Sequence, residues 1–345
     1  MPISSSPQIS FIQKYPRTTA FLFGCVLCAG IIILAETILG FCVPNKRDSL
    51  FRYYPENYRH RNEYGLHRPN PGKHRSYHQI KSSQKMIYDV EYTIDAFNRR
   101  FTPVSLKGQH HQFIAFLGCS FTYGEGVADN QTLPARAGSY AHEYVPYNYG
   151  FHGWGPSDVL VKVETTDFKK EIPEDDGIFV YTFIDDHVHR ALGTMSVMRW
   201  YRKGAYYKKI KNGELVKMGD FYTERPVLTR IYSFLSKSNI LRVLKVDLPI
   251  IWDRDIEFTV NVIAKIRDTL KKQYPQSLFY VLIHPYCEKY RNKVKLFCAK
   301  YHLPYLDYQY PSKDARFYLS NEDKHPSAYS HDFVAQRLVQ DLQLK

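Results

Sequence analysis

The sequence predicts an α/β fold, a parallel sheet packed between helices, standing behind an N-terminal membrane span. Three observations predict it. Short continuous apolar runs recur at 113–118 (FIAFLG), 177–183 (GIFVYTF) and 278–284 (LFYVLIH); such runs suit strands buried on both faces of a parallel sheet. Between the last two lies a helical stripe, Ile256, Val260, Ile263, Ile266 and Leu270, at spacings of three and four. Strands that alternate with helices join by right-handed crossovers in one sheet. The third observation is an apolar stretch at 19–43 that carries a single charge, Glu36.

Residues 1–18 read as an N-terminal tail and 19–43 as a transmembrane helix. The stretch is long enough to cross a hydrocarbon core of about 30 Å. It shows no polar face, as a buried core helix would. A cleaved signal peptide has a shorter apolar region, about 7–15 residues, followed by a small-residue cleavage site. Phe41-Cys42-Val43-Pro44-Asn45 offers no clean one. Glu36 falls within two turns of the C-terminal end of the span, where water is within reach. Lys14 and Arg17 precede the span; Lys46, Arg47, Arg52, Arg59 and Arg61 follow it. A plain positive-inside count therefore keeps the rest of the chain cytoplasmic.

Residues 44–110 read as a linker and a small β-rich region. The part from 52 to 78, crowded with Tyr, His, Arg, Asn and Pro, reads as irregular. Residues 87–95 (IYDVEYTID) alternate, with Tyr88, Val90, Tyr92 and Ile94 on one face and Asp89, Glu91 and Thr93 on the other, a half-buried strand. Residues 111–345 read as the main domain, with a hairpin insertion at about 200–220. There Asn212-Gly213 between two strand-like runs signals a type I′ turn. A last helix follows Ser327, with Phe333, Leu338 and Leu342 among its apolar positions.

Composition narrows the function. With 345 residues, 44% of them hydrophobic and 15% aromatic, the chain can bury a sizeable core and is not wholly disordered. The formal charge is +13 and the isoelectric point about 9.2, compatible with an anionic membrane, an acidic polymer or nucleic acid. The absence of zinc-finger spacing, of an RNP-like aromatic strand and of a long Lys/Arg run argues against nucleic acid. Cys25, Cys28 and Cys42 fall in or near the span; Cys119, Cys287 and Cys298 lie elsewhere without metal-ligand spacing.

Four blocks carry chemistry. A serine nucleophile needs a base, a group to orient the base, and donors for the oxyanion. Gly118-Cys119-Ser120-Phe121-Thr122 follows the FIAFL strand, so the Ser120 hydroxyl lies at the sheet rim where open α/β sheets bind ligands. Asn148-Tyr149-Gly150-Phe151-His152-Gly153-Trp154-Gly155 has glycines that allow close approach to the backbone. Phe183-Ile184-Asp185-Asp186-His187 ends the GIFVYTF strand; adjacent residues of one loop rarely ligate one ion together, so no metal site is read there. In Asn321-Glu322-Asp323-Lys324-His325-Pro326-Ser327, Asp323 and His325 are two apart, so in an extended loop both side chains can point the same way, and Ser327 can cap the helix.

Together the order and setting of these blocks resemble the SGNH hydrolases, also called GDSL-like lipases and esterases. LGCSFTYGEGV is similar to that family's nucleophile block, NYGFHGWG to its glycine-bearing second block, and DKHPSAYSHDFVAQRL to its last block. The likeness runs from about 113 to 342. It extends to a bacterial subgroup tied to envelope polysaccharides, in which a membrane span and a YDVEYTID-like strand precede the catalytic domain. The resemblance implies a flavodoxin-like three-layer α/β/α sandwich, with Ser120 as nucleophile, His325 as base and Asp323 as its orienting acid. Glu322 is the alternative acid, three before the histidine. It also implies an oxyanion site with Gly150 as N–H donor. Asp185 stands where the family usually has a donating Asn, and an ionised Asp cannot donate. A protonated Asp185, Asn148 or His187 would then supply the donor, or activity would be weak.

Three functions are compatible with these residues. The first is an esterase removing O-acyl groups, acetyl foremost, from an envelope glycan or a small acyl ester. The second is an O-acetyltransferase using the same acyl-enzyme. The third is a glycan-binding or assembly protein with little or no catalysis. None requires a cofactor. An envelope substrate implies a single-pass anchor with the domain in the periplasm, against the positive-inside count.

Overall fold

The computed structural model describes residues 14–42, 48–104 and 111–345. Residues 1–13 of the expected tail, Val43 at the end of the expected span, and 44–47 and 105–110 of the expected linker and β-rich region lie outside the described residues. The strands are β1 (Ser49–Tyr54), β2 (Arg59–Arg61), β3 (His67–Pro69), β4 (Gly72–Ile80), β5 (Met86–Ile94), β6 (Gln112–Gly118), β7 (Tyr144–Gly150), β8 (Asp176–Phe183), β9 (Ala205–Lys209), β10 (Leu215–Asp220), β11 (Leu278–Ile283) and β12 (Tyr305–Asp307).

The three apolar runs become β6, β8 and β11, the interior of a five-stranded sheet in the order β12-β11-β8-β6-β7. All its pairings are parallel. Counted along the sheet's own chain order this is 2-1-3-4-5, the flavodoxin-like arrangement. Side chains alternate between two cores. Phe113, Ala115, Leu117, Phe179, Tyr181 and Val281 meet the helices Pro156–Thr165, Asp253–Gln273 and Arg291–Lys300. Ile114, Phe116, Ile178, Val180 and Leu282 meet Leu133–Tyr140 and Ala328–Asp341. The domain is thus a three-layer α/β/α sandwich. Each fully buried Phe on these faces contributes roughly 1.5–3 kcal/mol relative to exposure. The predicted stripe from Ile256 to Leu270 is buried in the 21-residue helix Asp253–Gln273. Ser327 caps the last helix, its Oγ accepting the Ser330 N–H at 3.2 Å.

Three local expectations change. The stretch 52–78, read as irregular, pairs into β1, β2, β3 and β4; β1, β4 and β5 form an antiparallel sheet in the order β1-β4-β5. In β4 the buried positions are His74, Ser76 and His78. Its inward face is polar, so an apolar period of two was never written into the sequence. The glycine block is half strand, since β7 ends at Gly150. The hairpin of β9 and β10 closes through a Gly213 N–H to Ile210 C=O bond of 2.8 Å, with Gly213 at φ +87°. Asn212 is not among the positive-φ residues, so this is a type I turn with a glycine bulge rather than type I′.

The N-terminal helix runs Pro16–Cys42, 27 residues with none buried, and is long and apolar enough to cross a membrane. It begins three residues before the expected start because Pro16 and Arg17 extend its first turn, where proline is tolerated. The small β-sheet is tied to the main one by Arg100, which bridges to Ile94 on one side and to Asn148 on the other.

Candidate active site

At the end of β6 the chain must turn sharply into the short helix Ser120–Tyr123. Gly118 makes the turn at φ +151°, and a Cβ there would strike Thr122 Oγ1. Ser120 therefore emerges at the C-terminal rim of β6. Its neighbours β7 and β8 lie on opposite sides, so this is the topological switch point where such sheets bind ligands. Gly150, at the end of β7, lies against the same turn; a Cβ on it would come 2.5 Å from Tyr123 N and 2.9 Å from Cys119 O.

The loop before Ala328–Asp341 carries His325, the expected base. His325 Nε2 is 2.9 Å from Ser120 Oγ, and His325 Nδ1 is 2.6 Å from Asp323 Oδ1. A carboxylate only accepts, so Nδ1 carries the hydrogen and Nε2 is free to accept the serine proton. Asp323 Oδ1 also accepts the His325 backbone N–H at 3.0 Å, and Oδ2 accepts from His78 Nδ1 at 3.0 Å. Ser320 Oγ holds the Asp323 N–H at 3.0 Å, which fixes the loop. Burial opposes charge on His325, but the hydrogen bond and charge of Asp323, then the charge of Glu125, outweigh it and raise its pKa. Burial likewise opposes ionisation of Asp323; the hydrogen bonds from His325 and His78 win and hold it below the usual carboxylate range. Glu322, the alternative acid, faces outward and pairs with Lys85 at 3.0 Å; it does not touch His325 within the described contacts.

The residues expected at the oxyanion have other partners. Asp185 is an acceptor: Oδ2 takes the N–H groups of Glu288 at 2.8 Å and Lys289 at 2.9 Å, and Oδ1 takes that of Tyr290 at 3.0 Å and the Cys287 thiol at 3.1 Å. It anchors the loop after β11, with both oxygens engaged as acceptors. Asn148 Nδ2 donates to the carbonyls of Thr122 and Tyr123, both at 3.2 Å, and its Oδ1 takes the Gly150 N–H at 3.0 Å. Asn148 thus clamps the nucleophile helix, and the Gly150 N–H is already engaged. His187 is fully buried, its Nδ1 3.0 Å from Tyr181 OH and its ring against Phe183. As the first residue of its helix, Ser120 has an N–H with no intrahelical acceptor.

Residues not foreseen surround the triad. His78 on β4 supplies the second contact to Asp323. Glu125 is buried beside the nucleophile helix, accepts from Tyr88 OH on β5 at 2.6 Å, and pairs with His152. Burial pushes the Glu125 pKa up, but His152 above all pulls it down, to about 2. Arg100, 1% exposed, donates to the carbonyls of Tyr123, Gly124 and Val127 and fastens the loop after the nucleophile helix. Arg190 is a buried guanidinium whose charge bears on His325. It donates to Trp154 O at 3.0 Å and Asp186 at 3.3 Å, while its Nε has no partner among the described residues. His152, Gly153 and Trp154 of the glycine block also wall, in part, a cavity of about 700 Å³.

No family model and no curated protein matches the chain. Among solved structures it is similar to an acetyl xylan esterase from the rumen bacterium Butyrivibrio proteoclasticus, at 12% identity and TM-score 0.39, over 69% of this chain and 64% of that one. It is also similar to a family two carbohydrate esterase from Cellvibrio japonicus, at 11% identity and TM-score 0.38, over 71% and 64%. A third is a member of the lipolytic G-D-S-L family from Veillonella parvula, at 9% identity and TM-score 0.38, over 67% and 98%. The chain spans just under two thirds of the length of the two carbohydrate esterases. At these values the likenesses are distant.

Proposed function

We propose that this protein is a membrane-anchored serine esterase of the SGNH type, removing O-acyl groups, acetyl foremost, from an envelope glycan. The observation that carries the reading is the unbroken chain from Ser120 Oγ through the His325 ring to Asp323. In this reading His325 Nε2 takes the hydroxyl proton as Ser120 Oγ attacks the ester carbonyl. Asp323, itself held by His78, stabilises the imidazolium that forms. The Ser120 N–H and the field of Arg190 stabilise the oxyanion in a water-poor setting. The tetrahedral species expels the sugar alkoxide, which His325 protonates, leaving acetyl-Ser120. Water, deprotonated by His325, then releases acetate.

The anchor has support from the span's own contacts. The Glu36 carboxylate accepts from Ser238 Oγ and from the N–H groups of Asn239 at 2.6 Å and Ile240 at 3.4 Å. A helix removed as a signal peptide would strip those groups of their partner. Glu36 lies six residues before Cys42, about 9 Å along the helix axis. In the segment 227–252, which contains Ser238, the side chains of Val227, Phe234, Leu244, Ile250 and Trp252 are each at least 60% exposed. Such apolar exposure suits a segment lying about 5–10 Å into the bilayer interface. The catalytic domain is assigned to the periplasmic side, where envelope glycans are; a reporter fused after Lys345 reads that orientation.

The test is acetate release from an O-acetylated oligosaccharide by the wild type and by Ser120→Ala, with an unacetylated oligosaccharide added as competing acceptor. Release that depends on Ser120 supports the esterase. Acetyl appearing mainly on the added sugar makes the protein a transferase, and no Ser120-dependent turnover of either kind overturns the reading.

A further inference from the structure

The cavity walled by His152, Gly153 and Trp154 has a chemical character that the esterase reading alone does not supply. Its walls come from the β2–β3 hairpin and from the segment that leads into β9, and they carry Arg59, Arg61, Arg202 and Lys203. None of these four is ion-paired with a carboxylate among the described residues. Arg61 instead donates to the Lys203 backbone carbonyl at 2.9 Å, which draws the two walls together. The one carboxylate among the described lining residues, Asp158, is buried and already satisfied by Tyr201 OH, Gly155 N–H at 2.8 Å and Ala205 N–H at 3.1 Å. It therefore neutralises none of the four cations by contact.

His67 in the wall is held down to about 4, first by desolvation and then by Arg61, Arg59 and Lys203. Clefts lined by one sign of charge focus potential and concentrate ligands of the opposite sign. Trp200 adds a flat apolar surface. Its indole is 55% exposed; a Cβ on Gly153 would come 2.9 Å from the ring, and the Arg190 guanidinium lies 5.5 Å from the ring centroid. An exposed indole with one side supported suits stacking on the C–H face of a sugar ring. The same wall reaches the chemistry, because His152 lines the cavity and pairs with Glu125, whose charge bears on His325.

We propose that the cavity binds an anionic glycan, one whose sugars carry carboxylate or an equivalent acidic group, and that Trp200 and the four cations hold it with an acyl ester at Ser120. The proposal rests on the esterase reading for the last clause only; binding of the acidic sugar is measurable without turnover. A guanidinium recognises a carboxylate through paired N–H donors. The exposed position of these cations makes the attraction sensitive to salt, with a screening length of about 10 Å at 0.1 M.

The experiment uses the full chain in nanodiscs and two probes, tetragalacturonic acid and neutral xylotetraose, titrated by calorimetry at 50 and 500 mM NaCl. The acid is expected to bind at least tenfold more tightly than the neutral sugar at low salt, and to lose at least fivefold in affinity at high salt. In the double variant R202E/K203E the acid-to-neutral ratio is expected to fall to near one. R59Q/R61Q, on the opposite wall, gives the same test should the first pair misfold, and the salt dependence needs no variant. Equal affinity for the two sugars, or an acid affinity indifferent to salt, overturns the proposal. Tighter binding of a short oligothymidylate than of tetragalacturonate overturns the glycan assignment. Hydrolysis of p-nitrophenyl acetate by the wild type, measured in parallel, reports on the esterase reading separately.

Discussion

Replacing Asp323 by Asn tests the wiring of the site with almost no change of shape. Asp323 Oδ1 serves the His325 ring at 2.6 Å and the His325 backbone N–H at 3.0 Å, while Oδ2 serves His78 at 3.0 Å. An amide cannot accept at both ends. With its NH₂ toward His325, Nδ1 must become the acceptor, and Nε2 then presents a hydrogen to Ser120 Oγ across the 2.9 Å gap. The base is lost. With its NH₂ toward His78, that buried ring must reverse its tautomer or leave a donor unpaired, at a cost of about 1–3 kcal/mol. Either way the imidazolium loses its counter-charge. By analogy with other triads kcat should fall by about 10³–10⁴, which is about 4–5.5 kcal/mol of barrier. The pH profile should move as well. The base works only when neutral, so activity rises with pH through the His325 pKa. In the wild type Asp323 raises that pKa, placing the ascending limb on the alkaline side of an ordinary histidine. In Asp323→Asn the limb should shift toward acid. The assay is p-nitrophenyl acetate hydrolysis between pH 5 and 9, with circular dichroism as the folding control. A variant that keeps its rate within tenfold and its midpoint unmoved would refute the assignment.

Three further outcomes follow from the same contacts. Glu322→Gln should leave kcat/KM within twofold, since that carboxylate faces Lys85 and solvent; a loss beyond tenfold would return it to the triad. Asp185→Asn should lower thermal stability, by about 1–3 kcal/mol for lost acceptor capacity, and should not raise kcat. A tenfold rise in rate would mean that position 185 faces the oxyanion after all. Arg190→Met should lower kcat by tenfold or more with a smaller change in KM, measured on p-nitrophenyl acetate; an unchanged kcat would remove its field from the mechanism.

The sheet was legible because its chemistry is local. A strand buried on both faces must be apolar at every position, and 113–118, 177–183 and 278–284 declare that within a few residues each. Ser120 and the pair Asp323–His325 could be singled out as candidates for the same reason, each lying in a short motif beside an element boundary, and the fold brings them into contact. What escaped was long-range or polar. Asp185 reads as a rim residue by position, but its acceptor role depends on N–H groups more than a hundred positions later. His78 reaches Asp323 across 245 residues, from a strand whose inward face is His and Ser rather than Val or Ile. Glu125 stands within the nucleophile block itself, yet its burial follows from Tyr88 and His152, which only the fold brings to it. The small β-sheet, within what the sequence shows as a linker and small β-rich region, brings His78 to Asp323 and Tyr88 to Glu125.

The most direct measurement is covalent labelling of the intact protein with a fluorophosphonate, followed by peptide mass spectrometry. A hydroxyl activated by an adjacent imidazole should carry the phosphonyl group, so the adduct is expected on Ser120, and it should disappear in His325→Ala while the protein stays folded. A folded wild type that gains no adduct at Ser120 would contradict acyl-enzyme chemistry at this site.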